Sequence, residues 1–290
     1  MSDGEIKSTW AAVQDHTRHF SDFTFVYPVI SRRSKGLSIG VNLNPDKVCN
    51  FDCIYCEVDR RIPGAVAEVD LRQMKDELTA MVRFAKDGGL AKEPKFDEVP
   101  WLTRAVKDIA FSGDGEPTMI QNFAECVETV VEVQQLEGLD ETKIVLITDA
   151  AGLDKSEVKR GLETMDAHNG EIWGKLDAGT EEYYRQVNRS NVKFERILNN
   201  LLETSRTRPI IIQSLFLKVH GEAMSAGELE AYCGRLRGLT AAGGQISEVH
   251  LYTVARPTPE AFAAKLEVPE LEAMAATVRE RTDLKVSIYP

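Results

Sequence analysis

Cysteine is scarce in this chain of 290 residues, and its five cysteines are unevenly placed. Three lie within eight residues, at Cys49, Cys53 and Cys56, and the other two are isolated at Cys126 and Cys233. Two isolated cysteines do not form the spacing pattern of a disulfide-stabilised secreted domain, so we expect a reducing compartment.

Long apolar runs are also absent. No run approaches the ~20 apolar residues that a membrane-spanning helix needs. Residues 1–20 mix acids and bases and lack the apolar core of a secretory signal. The hydrophobic content of 43% and the charged content of 28% are ordinary for a globular protein. We therefore expect a cytoplasmic protein with no membrane association.

Positive charge is in deficit, since the formal net charge is −11. This charge argues against a protein whose whole surface attracts phosphate backbones. A local basic run remains at Ser31-Arg-Arg-Ser-Lys35, where an anionic substrate or partner would find cations. Short basic runs are more often solvated surface, and we favour that interpretation.

The three clustered cysteines have the spacing of a metal-binding loop. Thiolates are soft ligands that select iron–sulfur clusters or zinc. A structural zinc normally takes four protein ligands, yet no His or Cys lies between Cys56 and Cys126. The loop therefore indicates a 4Fe-4S cluster with one open iron. A zinc loop completed by a distant ligand is the alternative.

Alternating strands and helices dominate the rest of the chain. The predicted strands cover residues 37–43, 108–111, 143–147, 171–176, 210–217 and 247–252. The predicted helices cover residues 68–86, 123–136, 155–165, 181–187, 194–205 and 226–240. Strands that alternate with helices imply parallel pairing through right-handed crossovers, and six units fit an open barrel better than a closed one of eight.

Flanking segments complete the predicted organisation. Residues 1–36 form an N-terminal extension, with a helix over 5–20 and a short β-prone run over 23–27. Residues 37–256 form the partial barrel. Residues 257–290 form a C-terminal cap, with a helix over 269–281 and a strand over 284–288.

Two motifs carry a resemblance to a known family. The three-cysteine spacing, with Tyr55 before the last cysteine, is similar to the cluster motif of radical S-adenosylmethionine (SAM) enzymes. Phe111-Ser-Gly-Asp-Gly-Glu-Pro-Thr118 resembles the glycine-rich SAM-amine motif of the branch related to wybutosine synthesis. Further likeness to that branch runs through Ser31-Arg-Arg33, Leu176-Asp-Ala178, Asn188-Arg189 and Leu251-Tyr-Thr-Val-Ala-Arg256.

The resemblance implies an α/β partial (β/α)6 barrel of the radical SAM type and a definite chemistry. The open iron would chelate the amino and carboxylate groups of SAM. One electron, from a donor such as flavodoxin or ferredoxin, would cleave SAM to a 5′-deoxyadenosyl radical that abstracts hydrogen from an unidentified substrate. The alternatives are a tRNA-modifying enzyme of the wybutosine type, and a non-enzymatic iron–sulfur or zinc module.

The resemblance also implies SAM contacts on the glycine-rich turn and near the cysteines. Tyr55 would lie against adenine, although simple packing would also explain an aromatic there. The turn formed by Gly113, Asp114, Gly115 and Glu116 would hold the methionine amino group. Glu116 is equally suited to a helix-start role.

Strand ends supply the remaining SAM candidates. Lys175 and Asp177 flank Leu176, so period two puts both side chains on one side. They would contact the ribose hydroxyls or the SAM carboxylate, or form an ordinary ion pair. The resemblance adds three further contacts. These are Arg189 for the SAM carboxylate, Gln213 as a polar SAM contact, and the backbone of Tyr252 to Val254 for adenine.

The sequence indicates the cofactors more clearly than the substrate, and it assigns no catalytic residue. Asp149 and His220 fall in loops after the third and fifth strands and are candidates for substrate contact. Trp101 lies in a helix-to-strand connection, where packing is expected. No cysteine precedes Cys49, whereas archaeal wybutosine enzymes carry a second set. With the acidic composition, this favours a small-molecule or protein substrate over tRNA.

Overall fold

The fold is seen in a computed structural model that describes Ile6, Arg18, Gly64 and residues 10–15, 20–62 and 68–290. The strands are β1 (Val26–Ser31), β2 (Gly36–Val41), β3 (Val106–Phe111), β4 (Lys143–Thr148), β5 (Gly170–Lys175), β6 (Ile210–Leu215), β7 (Lys218–Val219), β8 (Ile246–Tyr252), β9 (Ala263–Ala264) and β10 (Val286–Tyr289). The helices are α1 (Ala11–Gln14), α2 (Leu71–Lys86), α3 (Phe123–Leu136), α4 (Ser156–Asp166), α5 (Glu181–Asn188), α6 (Phe194–Thr207), α7 (Ala226–Ala241) and α8 (Val268–Thr282). No helix in these residues is long and apolar enough to cross a membrane.

Eight strands form one sheet in the order β1-β2-β3-β4-β5-β6-β8-β10. β1 pairs antiparallel with β2. The other pairings of this sheet with a defined register are parallel, and they join β2 to β3, β3 to β4, β5 to β6, β6 to β8 and β8 to β10. Strands β7 and β9 form a separate antiparallel pair. All six predicted strands and their helices are present, so the partial barrel is confirmed.

Two strands extend the sheet beyond the six predicted units. The strand predicted for the C-terminal cap pairs with β8 as β10. The predicted β-prone run before Pro28 begins later, at Val26, and continues through the proline as β1. The division of the chain at residues 36 and 256 stays a prediction.

The chain separates into two compact units. The first comprises residues 1–48, 63–147 and 155–171. Its helix α2 is capped by Asp70, whose side chain accepts the amides of Arg72 and Gln73. One face of α2 is buried and includes Met74, Leu78 and Met81.

Glu77 on α2 holds the start of β1. Its carboxylate accepts the backbone amides of Thr24 at 2.9 Å, Phe25 at 2.7 Å and Val26 at 3.2 Å. The carboxylate is buried, so these three amides and Gln73 Nε2, at 2.8 Å, replace its water. Two residues along the strand, Pro28 pairs with β2 through Ile39. Proline is tolerated because β1 is the edge strand of the sheet.

The second unit comprises residues 49–62, 148–154 and 172–290. Glu228 on α7 fixes the start of α5, since its carboxylate accepts the amides of Gly179 at 2.6 Å and Thr180 at 3.0 Å. A buried ring stack between Tyr184 and Phe194, with centroids 4.9 Å apart, packs α5 against α6. These contacts set the position of the C-terminal end of α5.

The predicted N-terminal helix over 5–20 differs from the structure. In the described part of that segment the α-helix is α1 alone, which has four residues, and part of the prediction lies outside the described residues. A run this short gains little helical stability, because nucleation is costly. Trp101 makes an edge contact with Trp10 at 6.1 Å and stays 55% exposed, so it packs only partly.

Candidate functional site

The cysteine loop is held by the C-terminal end of α5. The last carbonyls of a helix lack partners within the helix. Here the carbonyl of Asn188 accepts the amide of Asp52 at 3.0 Å, and that of Val187 accepts the amide of Ile54 at 2.9 Å. Within the loop, the amide of Cys56 donates to the carbonyl of Cys53 at 2.9 Å. The backbone around the second and third cysteines is therefore fixed from both sides.

Each of the three sulfurs accepts a hydrogen bond from nitrogen. The backbone amide of Phe51 donates to Cys49 Sγ at 3.4 Å. Asn188 Nδ2 lies 3.4 Å from Cys53 Sγ, and Arg60 Nη1 lies 3.0 Å from Cys56 Sγ. Hydrogen bonds to sulfur are a feature of iron–sulfur sites, where they set the reduction potential.

The loop fits an iron–sulfur cluster by the chemistry of its donors. Burial raises the pKa of the Cys53 thiol to about 11, against an opposing effect of Lys175, and coordination to a metal is what deprotonates such a thiol. Burial tends to lower the pKa of Arg60, but the neighbouring Cys56 outweighs it and raises that pKa. Among the described residues, no group of three or more His, Cys, Asp or Glu side chains is arranged to hold a single metal ion.

Asp177, which follows β5, is the centre of a buried polar network beside Cys53. Its Oδ2 accepts hydrogen bonds from the Tyr55 hydroxyl and from Asn188 Nδ2, the latter at 2.7 Å. Its Oδ1 accepts the amide of Leu215 at 2.8 Å. Since the side chain is fully buried, these donors are what make an ionised carboxylate tolerable there.

Lys175 completes this network. Its Nζ lies 3.8 Å from Asp177 Oδ2, so the predicted placement of both side chains on one side agrees with the structure. Nζ also lies 2.9 Å from the Tyr55 hydroxyl and 3.4 Å from the Tyr252 hydroxyl. Burial opposes the charge, but Asp177 outweighs it and raises the pKa of Lys175 above its usual value. The neighbouring carboxylate therefore favours the ammonium form of this side chain.

Tyr55 is more than a packing residue. Its hydroxyl lies between Lys175 and Asp177, and the Lys175 Nζ lies 5.0 Å from its ring centroid. Burial, followed by the charge of Asp177, raises the pKa of Tyr55 well above its usual value, so it acts as a donor to the carboxylate. Its predicted contact with adenine stays a prediction.

Gln213, on the neighbouring strand β6, faces the same side of the sheet as Lys175. The two residues are register partners, and His250 follows on β8. Gln213 is 1% exposed, and its Nε2 has no hydrogen-bond partner within the described part of the chain. A buried amide group without a partner is suited to donate a hydrogen bond to an acceptor atom of a ligand. Tyr252 and Val254 pack with Tyr55 in one apolar cluster.

The glycine-rich turn, in the first unit, is held by Asn42. Asn42 Nδ2 donates to Asp114 Oδ2 at 2.7 Å, and its Oδ1 accepts the Asp114 amide at 3.1 Å. Arg18 pairs with the other Asp114 oxygen at 2.8 Å. A Cβ on Gly115 would lie 2.0 Å from the carbonyl oxygen of Val48, so only glycine fits beside the residue that precedes Cys49.

Glu116 occupies the helix-start role that the sequence allowed. Its carboxylate accepts the amide of Thr118 at 3.1 Å and the Thr118 hydroxyl at 2.6 Å, and it is buried. It begins a short 3₁₀ turn over Pro117–Met119. A contact with SAM by Glu116, Gly113, Asp114 or Gly115 stays a prediction.

The remaining candidates have structural contacts of their own. Arg189, in the left-handed conformation at the end of α5, pairs with Glu260 at 2.5 Å. Asp149 is buried and accepts the amide of Ala151 at 2.8 Å. His220 is exposed, and its ring stacks on Phe262 with centroids 4.6 Å apart. Their roles toward SAM or substrate stay predictions.

The sequence did not predict the contacts of two residues in the site, Asn188 and Arg60. Asn188 belongs to the Asn188-Arg189 motif, but the role assigned there was given to the arginine, whereas the asparagine contacts Cys53 and Asp177. Arg60 adjoins Arg61 in a charged segment, and no sequence signal separates the two. Only their contacts do, because Arg60 reaches a cysteine sulfur and Arg61 binds Asp59.

Comparison with known proteins gives relatives in sequence and in fold. No family model matches the chain. UPF0026 protein MJ1312 of Methanocaldococcus jannaschii is 28% identical over 176 residues, which cover 61% of this chain and 46% of that protein. The chain thus spans about half the length of this relative.

Two solved structures share the fold. Streptococcus suis SuiB bound to S-adenosylmethionine has a TM-score of 0.58 at 12% identity, over 87% of this chain and 50% of SuiB. TYW1 with a lysine-pyruvate adduct bound has a TM-score of 0.56 at 16% identity, over 88% of this chain and 76% of TYW1. This chain shares the partial-barrel fold of these two structures, so the predicted resemblance holds at the level of the fold.

Proposed function

We propose that this protein is a radical SAM enzyme in which Cys49, Cys53 and Cys56 hold a 4Fe-4S cluster. The observation that carries the proposal is the set of three thiols on one loop, each accepting an N–H hydrogen bond. The loop lies in a chain with the radical SAM fold. A cluster held by these three cysteines would have an open iron and would supply the electron that cleaves SAM to methionine and a 5′-deoxyadenosyl radical, which would then abstract hydrogen from the substrate.

The protein's own part is to bind and orient SAM. Lys175 offers an ammonium and Asp177 a carboxylate, in a network already aligned by Tyr55 and Asn188. Pre-aligned groups of this kind cost little reorganisation when a polar ligand arrives. Gln213 offers an amide donor with no partner among the described residues.

Further SAM contacts follow from the resemblance. The turn of Gly113, Asp114, Gly115 and Glu116 would receive the methionine amino group, Arg189 the carboxylate, and the backbone of Tyr252 and Val254 the adenine. The electron donor would be a reducing protein such as flavodoxin or ferredoxin, and the setting the cytoplasm.

The test is anaerobic reconstitution with iron and sulfide. We expect about four irons per chain, and release of 5′-deoxyadenosine when dithionite and SAM are added. The Cys53→Ala variant should lose both. The matched control is Cys233→Ala, since Cys233 is a buried helix residue away from the loop. Zinc in place of iron, or iron without SAM cleavage, would contradict the proposal.

We further propose that the substrate is a small molecule or a protein, in preference to tRNA. The net charge is −11. The basic run of Arg32, Arg33 and Lys35 lies at the start of β2, whereas the end of β2 pairs with the strand that leads into the glycine-rich turn. The six residues of β2 span about 20 Å. A tRNA phosphate held by that run is therefore remote from the turn.

Pyruvate chemistry of the kind suggested by the adduct in TYW1 is disfavoured at Lys175. An amine must be neutral to attack a carbonyl, and the neighbouring Asp177 raises the pKa of Lys175. A gel-shift titration with tRNA at low salt tests the substrate class. Tight, salt-sensitive binding, together with pyruvate-dependent modification of the tRNA, would overturn this preference.

A further inference from the structure

We infer that Arg60 is a positioning residue that raises the reduction potential of the cluster. The inference rests on the proposed function, because it concerns the same cysteine loop. Neither the cluster motif nor the glycine-rich motif includes Arg60, and it is not among the predicted SAM contacts. Its role follows from its contact with Cys56.

The three sulfurs differ in the donor that each accepts. Cys49 accepts a backbone amide and Cys53 a side-chain amide, both at 3.4 Å. Cys56 accepts a guanidinium N–H at 3.0 Å. Charge-assisted hydrogen bonds are shorter and about twice as strong as neutral ones. Cys56 is therefore the ligand whose electron density the protein withdraws most strongly.

The two acids that precede Arg60 bind other arginines. Asp59 accepts three hydrogen bonds from Arg61, two of them from the side chain at 2.8 and 2.9 Å, and Glu57 accepts Arg256 at 2.7 Å. The Arg60 guanidinium is also partly buried, so solvent screens its charge less than that of Arg61, whose side chain is 87% exposed.

A positive charge at this position acts on one redox state more than the other. One-electron reduction adds a negative charge to the cluster and its thiolates, and a cation in contact with a ligand favours the more negative state. Because arginine stays protonated at all accessible pH values, this bias is constant. Arg60 thus makes the cluster easier to reduce by an external donor of one electron.

The experiment compares midpoint potentials of the reconstituted full chain. Wild type, Arg60→Gln, Arg60→Lys and Arg61→Gln are loaded anaerobically, analysed for iron, and titrated with dithionite under EPR. Arg61→Gln is the matched control, since it removes the same charge from the adjacent, exposed position. SAM is omitted, so the readout does not depend on turnover.

We expect Arg60→Gln to lower the midpoint potential. At the wild-type midpoint, its reduced-to-oxidised ratio should fall by at least about threefold, in keeping with the loss of a charge-assisted hydrogen bond. Arg60→Lys keeps the charge but loses the planar guanidinium group. Its midpoint potential should lie between those of wild type and Arg60→Gln. Arg61→Gln should match wild type.

Several results would overturn the inference. An Arg60→Gln protein that keeps its full iron content and has the wild-type midpoint potential would contradict the inference. Equal shifts in Arg60→Gln and Arg61→Gln would assign the effect to overall charge. Loss of iron from both Arg60 variants, with the fold retained, would make Arg60 an assembly residue. A wild-type chain that takes up no 4Fe-4S cluster would instead defeat the proposed function, and this inference with it.

Discussion

The carboxylate of Asp177 lies 2.7 Å from the side-chain amide of Asn188, and the same amide nitrogen lies 3.4 Å from the sulfur of Cys53. One side chain therefore contacts both a buried anion and a predicted cluster ligand. The Asn188 backbone carbonyl also accepts the amide of Asp52. The end of α5 is thus the element that connects the cysteine loop to the polar network.

Replacing Asn188 by Leu should destabilise the protein by about 1–3 kcal/mol, because the buried Asp177 side chain loses a hydrogen-bond donor. The measurement is urea denaturation of the apo-protein followed by circular dichroism. Asn191→Leu is the control, since Asn191 is exposed three residues later, and its effect should stay within about 0.5 kcal/mol. Equal denaturation midpoints for the two variants would contradict the role given to Asn188.

Replacing Lys175 by Met should cost about 3–5 kcal/mol, because it leaves the buried Asp177 charge without its cation. The double variant with Asp177→Asn should cost less than the sum of the two single changes, since the unpaired charge is gone. Chemical denaturation of all four proteins gives the coupling energy. Lys218→Met provides the comparison, because the Lys218–Glu270 pair is partly exposed and is worth about 0–1 kcal/mol. Strict additivity would show that the pair is not coupled.

Alkylation of Cys53 should have an unusual pH dependence in the apo-protein. Burial raises its pKa from 9.0 to about 11. Labelling of the folded protein should keep accelerating up to pH 11, whereas labelling in denaturant should level off near pH 9. Peptide-resolved mass spectrometry measures both rates. A folded profile that levels off near pH 9 would show that Cys53 is not desolvated.

The same shift has a consequence for stability, with a definite sign. A thiol that keeps its proton longer in the folded state contributes its full stability below the unfolded pKa, near 9, and that contribution is lost as the pH rises toward 11. The difference in stability between wild type and Cys53→Ala should therefore be flat below pH 9. Above pH 9 the stability of wild type should fall relative to that of Cys53→Ala.

Gly115→Ala should destabilise the protein, whereas Gly238→Ala should not. A Cβ at position 115 would meet the backbone oxygen of Val48 at 2.0 Å, so the chain itself must shift. Gly238 lies within α7, and a Cβ there meets nothing within 4 Å. Alanine in a helix interior stabilises by about 0.5–1 kcal/mol relative to glycine. Thermal unfolding would contradict this prediction if both variants melted alike.

The fold was accessible from sequence wherever local pattern decides structure. Apolar positions at helical spacing predicted α2, and β-branched runs that end at turn residues predicted the six central strands. The places of β1 and β10 in the sheet depend on pairing with distant strands, which no local pattern encodes. The predicted β-prone run ended before Pro28, because proline lacks the N–H that a central strand needs. In the structure β1 continues through Pro28, because an edge strand does not need that N–H for pairing.

The candidate site shows the same contrast between local patterns and long-range contacts. The alternation of Lys175 and Asp177 is local, and it correctly placed both side chains on one side. The cysteine spacing is local too, and its role in holding a cluster stays a prediction. The Asn188 contact with Cys53 joins residues 135 positions apart. The distinction between Arg60 and Arg61 depends on which of two adjacent guanidinium groups turns toward sulfur, a matter of tertiary geometry.

Glu77 and Pro28 together reduce the number of free amides along the β1 edge of the sheet. An exposed edge strand offers its free amides to any incoming strand, which is how sheets of separate molecules join and aggregate. At the start of β1 the amides of residues 24, 25 and 26 already bind Glu77, and at residue 28 no amide hydrogen exists. A foreign strand laid along the β1 edge would find few donors there, so this one edge of the sheet is a poor template for pairing between molecules.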